Sequence, residues 1–143
     1  MKGDNMFIGR KVVFRGKTYD NYFATEEGFI YSLKENRGKV SLTKIGSDSS
    51  SKKYPRVNIQ GINANTHSVI AETFLGDPTN VRPADISVSD WKRTPASVKK
   101  LIRHNAIHVD HINGITTDNR VSNLQYLLSS INIAKGGAKQ TSD

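Results

Sequence analysis

The sequence predicts an α+β protein, with a small antiparallel β-sheet in front and a strand, loop and helix region behind. Three observations carry this. Short apolar runs alternate with turn residues as far as about residue 60. An apolar face repeating at four positions begins at Thr66. Near the C-terminal end, residues 108–132, HVDHINGITTDNRVSNLQYLLSSIN, combine a loop-forming composition with a short apolar run and a helix candidate.

In chain order, Lys11 to Phe14 and Asn21 to Thr25 read as short strands. A turn at Glu26-Glu27-Gly28 leads to Phe29-Ile30-Tyr31-Ser32-Leu33. Another at Asn36-Arg37-Gly38 leads to Lys39 through Ile45. Gly46 to Lys53, GSDSSSKK, is too polar to pack and is expected to be a mobile loop. Tyr54 to Gln60 returns as a strand, Val57 and Ile59 alternating, and Gly61 to Asn65 is expected to break it. Residues 1–60 are thus expected to form one β-rich region.

Thr66 to Leu75 predicts a helix, because Ile70 with Phe74 and Ala71 with Leu75 repeat at four and Asp77-Pro78 stops it. Around residues 79–105 a second helix is expected, with Thr94 as N-cap and Pro95 at its first position. Val98, Leu101 and Ile102 share one face of it, and Lys99, Lys100 and Arg103 fall on another. Such a basic strip suits a phosphate backbone, or is simply solvated. Trp91 is expected to anchor this segment in the core. A last helix carries Asn132 and continues through Ile133, Ala134 and Lys135 until Gly136-Gly137 halts it.

The chain has 143 residues, enough for one domain with a modest shared core. Its net charge is +8, from 21 basic against 13 acidic residues, which favours a polyanionic partner such as nucleic acid over an acidic small substrate. With no cysteine, disulfides and thiolate zinc sites are excluded. No stretch approaches a membrane span, so the expectation is a soluble, cytoplasmic protein without a membrane partner.

The chemistry concentrates in residues 108–132. Asp110 beside His111 supplies a hard oxygen ligand next to an imidazole able to take a proton from water, a minimal kit for metal-assisted phosphodiester hydrolysis. Asn113, Gly114, Asp118 and Asn119 read as loop architecture, since Gly and Asn tolerate positive φ and short amides bond nearby backbone. Arg120 could contact phosphate or brace the loop. His104 and His108 add imidazoles to Asp110 and His111 and raise zinc as an alternative, but strand parity works against convergence on one ion.

The runs Val109-Asp110-His111-Ile112-Asn113-Gly114 and Thr117-Asp118-Asn119-Arg120-Val121-Ser122-Asn123-Leu124, followed by the asparagine-bearing helix, resemble the HNH endonuclease family. Within it they are similar to phage and intron-encoded homing endonucleases whose last motif residue is asparagine. Asn123 lies twelve positions after His111 (123 − 111) and Asn132 twenty-one (132 − 111), the offsets of that variant. The resemblance implies a ββα-metal finger: a strand ending at Asp110-His111, an ordered loop, a strand over Leu124 to Leu128, and a helix from about Ser129. It also implies a Mg²⁺-dependent DNA endonuclease, a homing enzyme or nickase, with Mn²⁺ as the other candidate ion and no small-molecule cofactor.

In that reading His111 is the general base and Asn123 accepts from its far ring nitrogen. Asp110 and Asn132 hold the metal, Lys99, Lys100, Arg103, Arg120 and Lys135 meet double-stranded DNA, and His67 and Asn119 support the centre. The catalytic region would be residues 61–143, with 79–105 inserted relative to many relatives and 1–60 an accessory that touches DNA or only supports the core. A DNA-binding protein that kept the scaffold without cleaving is the alternative.

Overall fold

The computed structural model describes residues 8–46, 54–78, 81–105 and 107–128. Four strands, β1 (Arg10–Phe14), β2 (Lys17–Ala24), β3 (Ile30–Asn36) and β4 (Lys39–Ile45), form an antiparallel meander in sequence order. A second hairpin, β5 (Arg56–Ile59) with β6 (Ile62–Asn65), runs directly into helix α1 (Thr66–Phe74). Helices α2 (Val88–Arg93) and α3 (Ala96–Asn105) follow. The antiparallel pair β7 (Ile107–His111) and β8 (Leu124–Leu128) completes the described chain.

Three hairpins owe their tightness to one device. Arg15-Gly16, Arg37-Gly38 and Gln60-Gly61 each turn in two residues with φ positive at both, from 51° to 93°. That conformation matches the right-handed twist of the flanking strands, and glycine at the second position adopts it without steric cost. Gly61 is therefore a hairpin turn, not the strand break that the sequence suggests. As a consequence β5 pairs with β6 and not with the N-terminal sheet.

The segment after α1 also departs from expectation. It contains two helices; α2, only six residues long, is too short to display a repeat, and Ser87 caps it by accepting from Asp90 N at 3.1 Å. Thr94 does not cap α3: its hydroxyl donates back to Asp90 O at 2.7 Å, closing α2. Pro95 O instead accepts from the Val98 and Lys99 amides, and Val98 stands exposed. Trp91 is buried as expected, with Lys99 Nζ 4.7 Å from its ring centroid. The expected loop at 47–53 and the helix after residue 128 lie outside the described residues.

α1 sits at the middle of the packing. It contacts β1, β6, β7, β8 and the 3-10 turn Val121–Asn123. Val69 and Ile70 are wholly buried, each removal from water stabilising the fold by roughly 1.5–3 kcal/mol. Thr73 Oγ1 accepts from Val13 N at 3.0 Å and donates to Val13 O at 3.2 Å, pinning α1 to β1. Tyr126 on β8 donates to Gly76 O at 2.8 Å, pinning the exit of α1 to the other side. One buried cluster consequently runs from Val12, Phe14 and Ile30 through Val69 and Ile70 to Leu124 and Tyr126. Among the described residues no helix is long and apolar enough to cross a membrane.

Candidate active site

β7 ends at Asp110 and His111, which pair with Gln125 and Leu124 of β8. Both are buried, Asp110 at 7% and His111 at 6% exposure. Gln125 Nε2 donates to Asp110 Oδ2 at 2.9 Å. His111 lies against His67, ring centroids 5.1 Å apart at 83°, and its Nε2 is 2.8 Å from Asn119 Oδ1. A carbonyl oxygen can only accept, so this contact places the proton on Nε2 and leaves Nδ1 as the basic nitrogen.

The expected contact from Asn123 to the imidazole is not the one formed. Asn123 Oδ1 accepts from Asn113 N at 3.0 Å, while its Nδ2 donates to Asn113 Oδ1 and Asp118 O, both at 2.9 Å. With both ends of the amide engaged by the loop, Asn123 shapes the loop and Asn119 holds the histidine. Asn119 is 6% exposed and eight positions after His111. Nothing in one sequence chooses among Asn113, Asn119 and Asn123 for that contact, because all three are loop amides in reach of the same turn.

The rest of the loop is cross-braced. Asn113 Nδ2 donates to Asp118 Oδ2 at 2.9 Å, and Ile115 N donates to Asn113 Oδ1 at 2.8 Å. Arg120 grips Asp118 with two bonds, Nε to Oδ1 at 2.8 Å and Nη2 to Oδ2 at 2.7 Å. The guanidinium and the Asn113 amide hold the Asp118 carboxyl well below the usual carboxylate range. Of the two roles open to Arg120, bracing is the one visible here.

His67, second residue of α1, is 8% exposed and packed between Tyr54 and His111, with 5.6 Å between the Tyr54 and His67 centroids. Its Nδ1 is buried without a hydrogen-bond partner among the described residues. Burial, and then the neighbouring His111, lower its pKa from 6.5 to about 4, so it is neutral around pH 7.

Of the other candidate residues, Lys100 is exposed on α3, Lys99 leans on Trp91 and Arg103 belongs to α3. Asn132 and Lys135 lie outside the described residues. His108 is exposed on β7. Among the described residues no group of three or more His, Cys, Asp or Glu is placed to hold a metal ion. Sequence reasoning did not foresee a cleft of about 400 Å³ beside this centre, lined by Gly28, Phe29, Lys44, Thr66, Thr117 and Asn119. In that lining Lys44 Nζ sits 4.0 Å from the Phe29 ring centroid, and Phe29 is 42% exposed.

No family model and no curated protein matches the sequence. Among solved structures the chain is similar to one described as DNA binding and cleavage by the HNH homing endonuclease I-HmuI, at a TM-score of 0.55 and 16% identity. The fold of this chain is similar to the fold of that endonuclease. The match covers 94% of this chain and 60% of the other, so the present chain spans about three fifths of the length of the chain it matches. As the sequence predicts, the chain combines helices with small antiparallel sheets.

Proposed function

We propose that this chain is a metal-dependent DNA endonuclease of the HNH type, hydrolysing phosphodiester bonds in double-stranded DNA. The observation that carries the proposal is a buried imidazole whose Nε2 is held 2.8 Å from Asn119 Oδ1, next in sequence to a buried carboxylate, in a chain whose fold is similar to the fold of that endonuclease.

His111 Nδ1 takes a proton from the attacking water as the nucleophile forms. Asn119 does not touch the reacting atoms; it fixes which nitrogen is basic and which way the ring faces. His67 is neutral near pH 7, so it walls one side of the ring without adding a charge that would oppose protonation of His111. Asp110 offers a hard carboxylate donor, and the chemistry of this donor suits Mg²⁺ or Mn²⁺, with Asn132 as the second protein ligand. When bound, such an ion supplies charge stabilisation to the phosphorane-like transition state and the leaving oxygen.

Lys44 in the cleft lining, and Lys99, Lys100 and Arg103 on α3, contribute positive charge towards the phosphates that flank the cut. Residues 1–60 contribute to DNA contact in this reading, and residues 61–143 carry the ββα finger.

A plasmid-nicking assay tests the proposal. Wild type should convert supercoiled to open-circular or linear DNA with Mg²⁺ and stop in EDTA. His111→Ala should lose about 10²–10⁴-fold in rate while still retaining DNA at low salt. Nicking that persists in EDTA, or is unchanged in His111→Ala, removes the mechanism.

A further inference from the structure

The turn Glu26–Gly28, between β2 and β3, is docked on the loop that carries Asn119. Val121 donates its backbone N–H to Glu26 O at 2.9 Å. Gly28, at φ +96°, approaches so closely that a Cβ built there would lie 2.4 Å from Asn119 O and 2.5 Å from the Asn119 carbonyl carbon. These are backbone atoms, which cannot swing away as the tip of a long side chain can. Any residue but glycine at position 28 must force this turn and the Asn119–Arg120 peptide apart. Asn119 is buried, and its side chain is what holds His111 Nε2.

We infer that Gly28 is a positioning residue for the His111 centre: by letting the N-terminal sheet press directly on the Asn119 backbone, it sets where the Asn119 amide meets the imidazole. The inference rests on the nuclease reading of His111, and it deepens it. The N-terminal sheet then supports the orientation of the general base itself, in addition to any contact it makes with DNA. Gly28 acts only through Asn119, so its loss and the loss of Asn119 should produce the same defect.

Gly16 provides the control. It also has a left-handed φ, +77°, but nothing lies within 4 Å of a Cβ built on it, so Gly16→Ala suffers the backbone strain without the collision. Single-turnover nicking at saturating enzyme is measured for Gly28→Ala, Gly16→Ala, Asn119→Ala and the Gly28→Ala/Asn119→Ala pair, each below its unfolding transition.

Gly28→Ala should slow cleavage about 10–100-fold, whereas Gly16→Ala should stay within about twofold of wild type. Adding Gly28→Ala to Asn119→Ala should cost nothing further. Equal defects at positions 16 and 28, or losses that multiply in the double variant, overturn the inference.

Two readouts do not depend on cleavage. Long-range ¹⁵N NMR of the imidazoles should show the Nε2–H tautomer of His111 in wild type and Gly16→Ala, and its loss in Gly28→Ala. In wild type the Val121 amide should exchange slowly with solvent. A freely exchanging Val121, or an unaltered His111 tautomer in Gly28→Ala, overturns the docking even if no variant can be assayed. Absence of Mg²⁺-dependent nicking by wild type instead overturns the nuclease reading, and these two signals then decide the contact alone.

Discussion

Acidification should destabilise this protein through His67, in a pH window set by its lowered pKa. In the unfolded chain the group titrates near 6.5, and in the fold near about 4. Between those values the unfolded chain binds the proton that the folded one refuses, so stability falls as pH drops below 6.5 and levels off beneath 4. Worked from those two values, the loss between pH 7.5 and pH 5.0 is about 2 kcal/mol from this one side chain. For a chain of this size that corresponds to roughly 5–8 °C in melting temperature.

The control is His67→Phe, which keeps an aromatic ring between Tyr54 and His111 and removes both the titration and the unpartnered Nδ1. Thermal unfolding followed by circular dichroism at pH 7.5 and pH 5.0 gives each protein's loss. Wild type should lose about 2 kcal/mol more than the variant over that interval. If the two proteins lose stability in parallel, the imidazole is not held neutral by burial and the reasoning about its surroundings fails.

Asn123→Ala and Asn119→Ala should separate loop architecture from catalytic support. The first removes three side-chain bonds that tie Asn113 and Asp118 and should cost roughly 2–3 kcal/mol of stability by chemical denaturation. The second removes one buried bond and should cost about 1–2 kcal/mol, less than the first, while depressing single-turnover cleavage about 10–100-fold, a pattern whose reversal would return the imidazole contact to Asn123. Lys44→Ala should lower the slope of log affinity against log salt by about 0.9, measured on a duplex with EDTA present. An unchanged slope would place the DNA elsewhere than the cleft beside Phe29. Tyr126→Phe should cost about 1 kcal/mol by losing the bond to Gly76 O, with far-UV spectra unchanged.

The elements whose signals are local were legible in the sequence. β4 runs over Lys39–Ile45, as its extended pattern and flanking turn imply, and α1 ends one residue before the expected Leu75; β8, over Leu124–Leu128, lies where the family resemblance implied a strand. Alternation and the four-residue repeat are properties of neighbouring side chains, so one strand or helix reveals itself without its partners. β6 and α2 were not legible. Four residues after a glycine, or six between a serine and a threonine, are too few to show a period, and only pairing or capping distinguishes them from loop.

Within the candidate centre, the sequence by itself determined the chemistry on hand: a carboxylate beside an imidazole, amide-rich loop residues, and an excess of positive charge. Which amide meets the imidazole was decided by tertiary structure, because Asn113, Asn119 and Asn123 have the same functional groups and differ only in where the folded loop carries them. The part played by Gly28 likewise has no local signature. A glycine in a turn looks alike whether it faces solvent or, as here, another segment's backbone more than ninety positions along the chain, and only close packing tells the two apart.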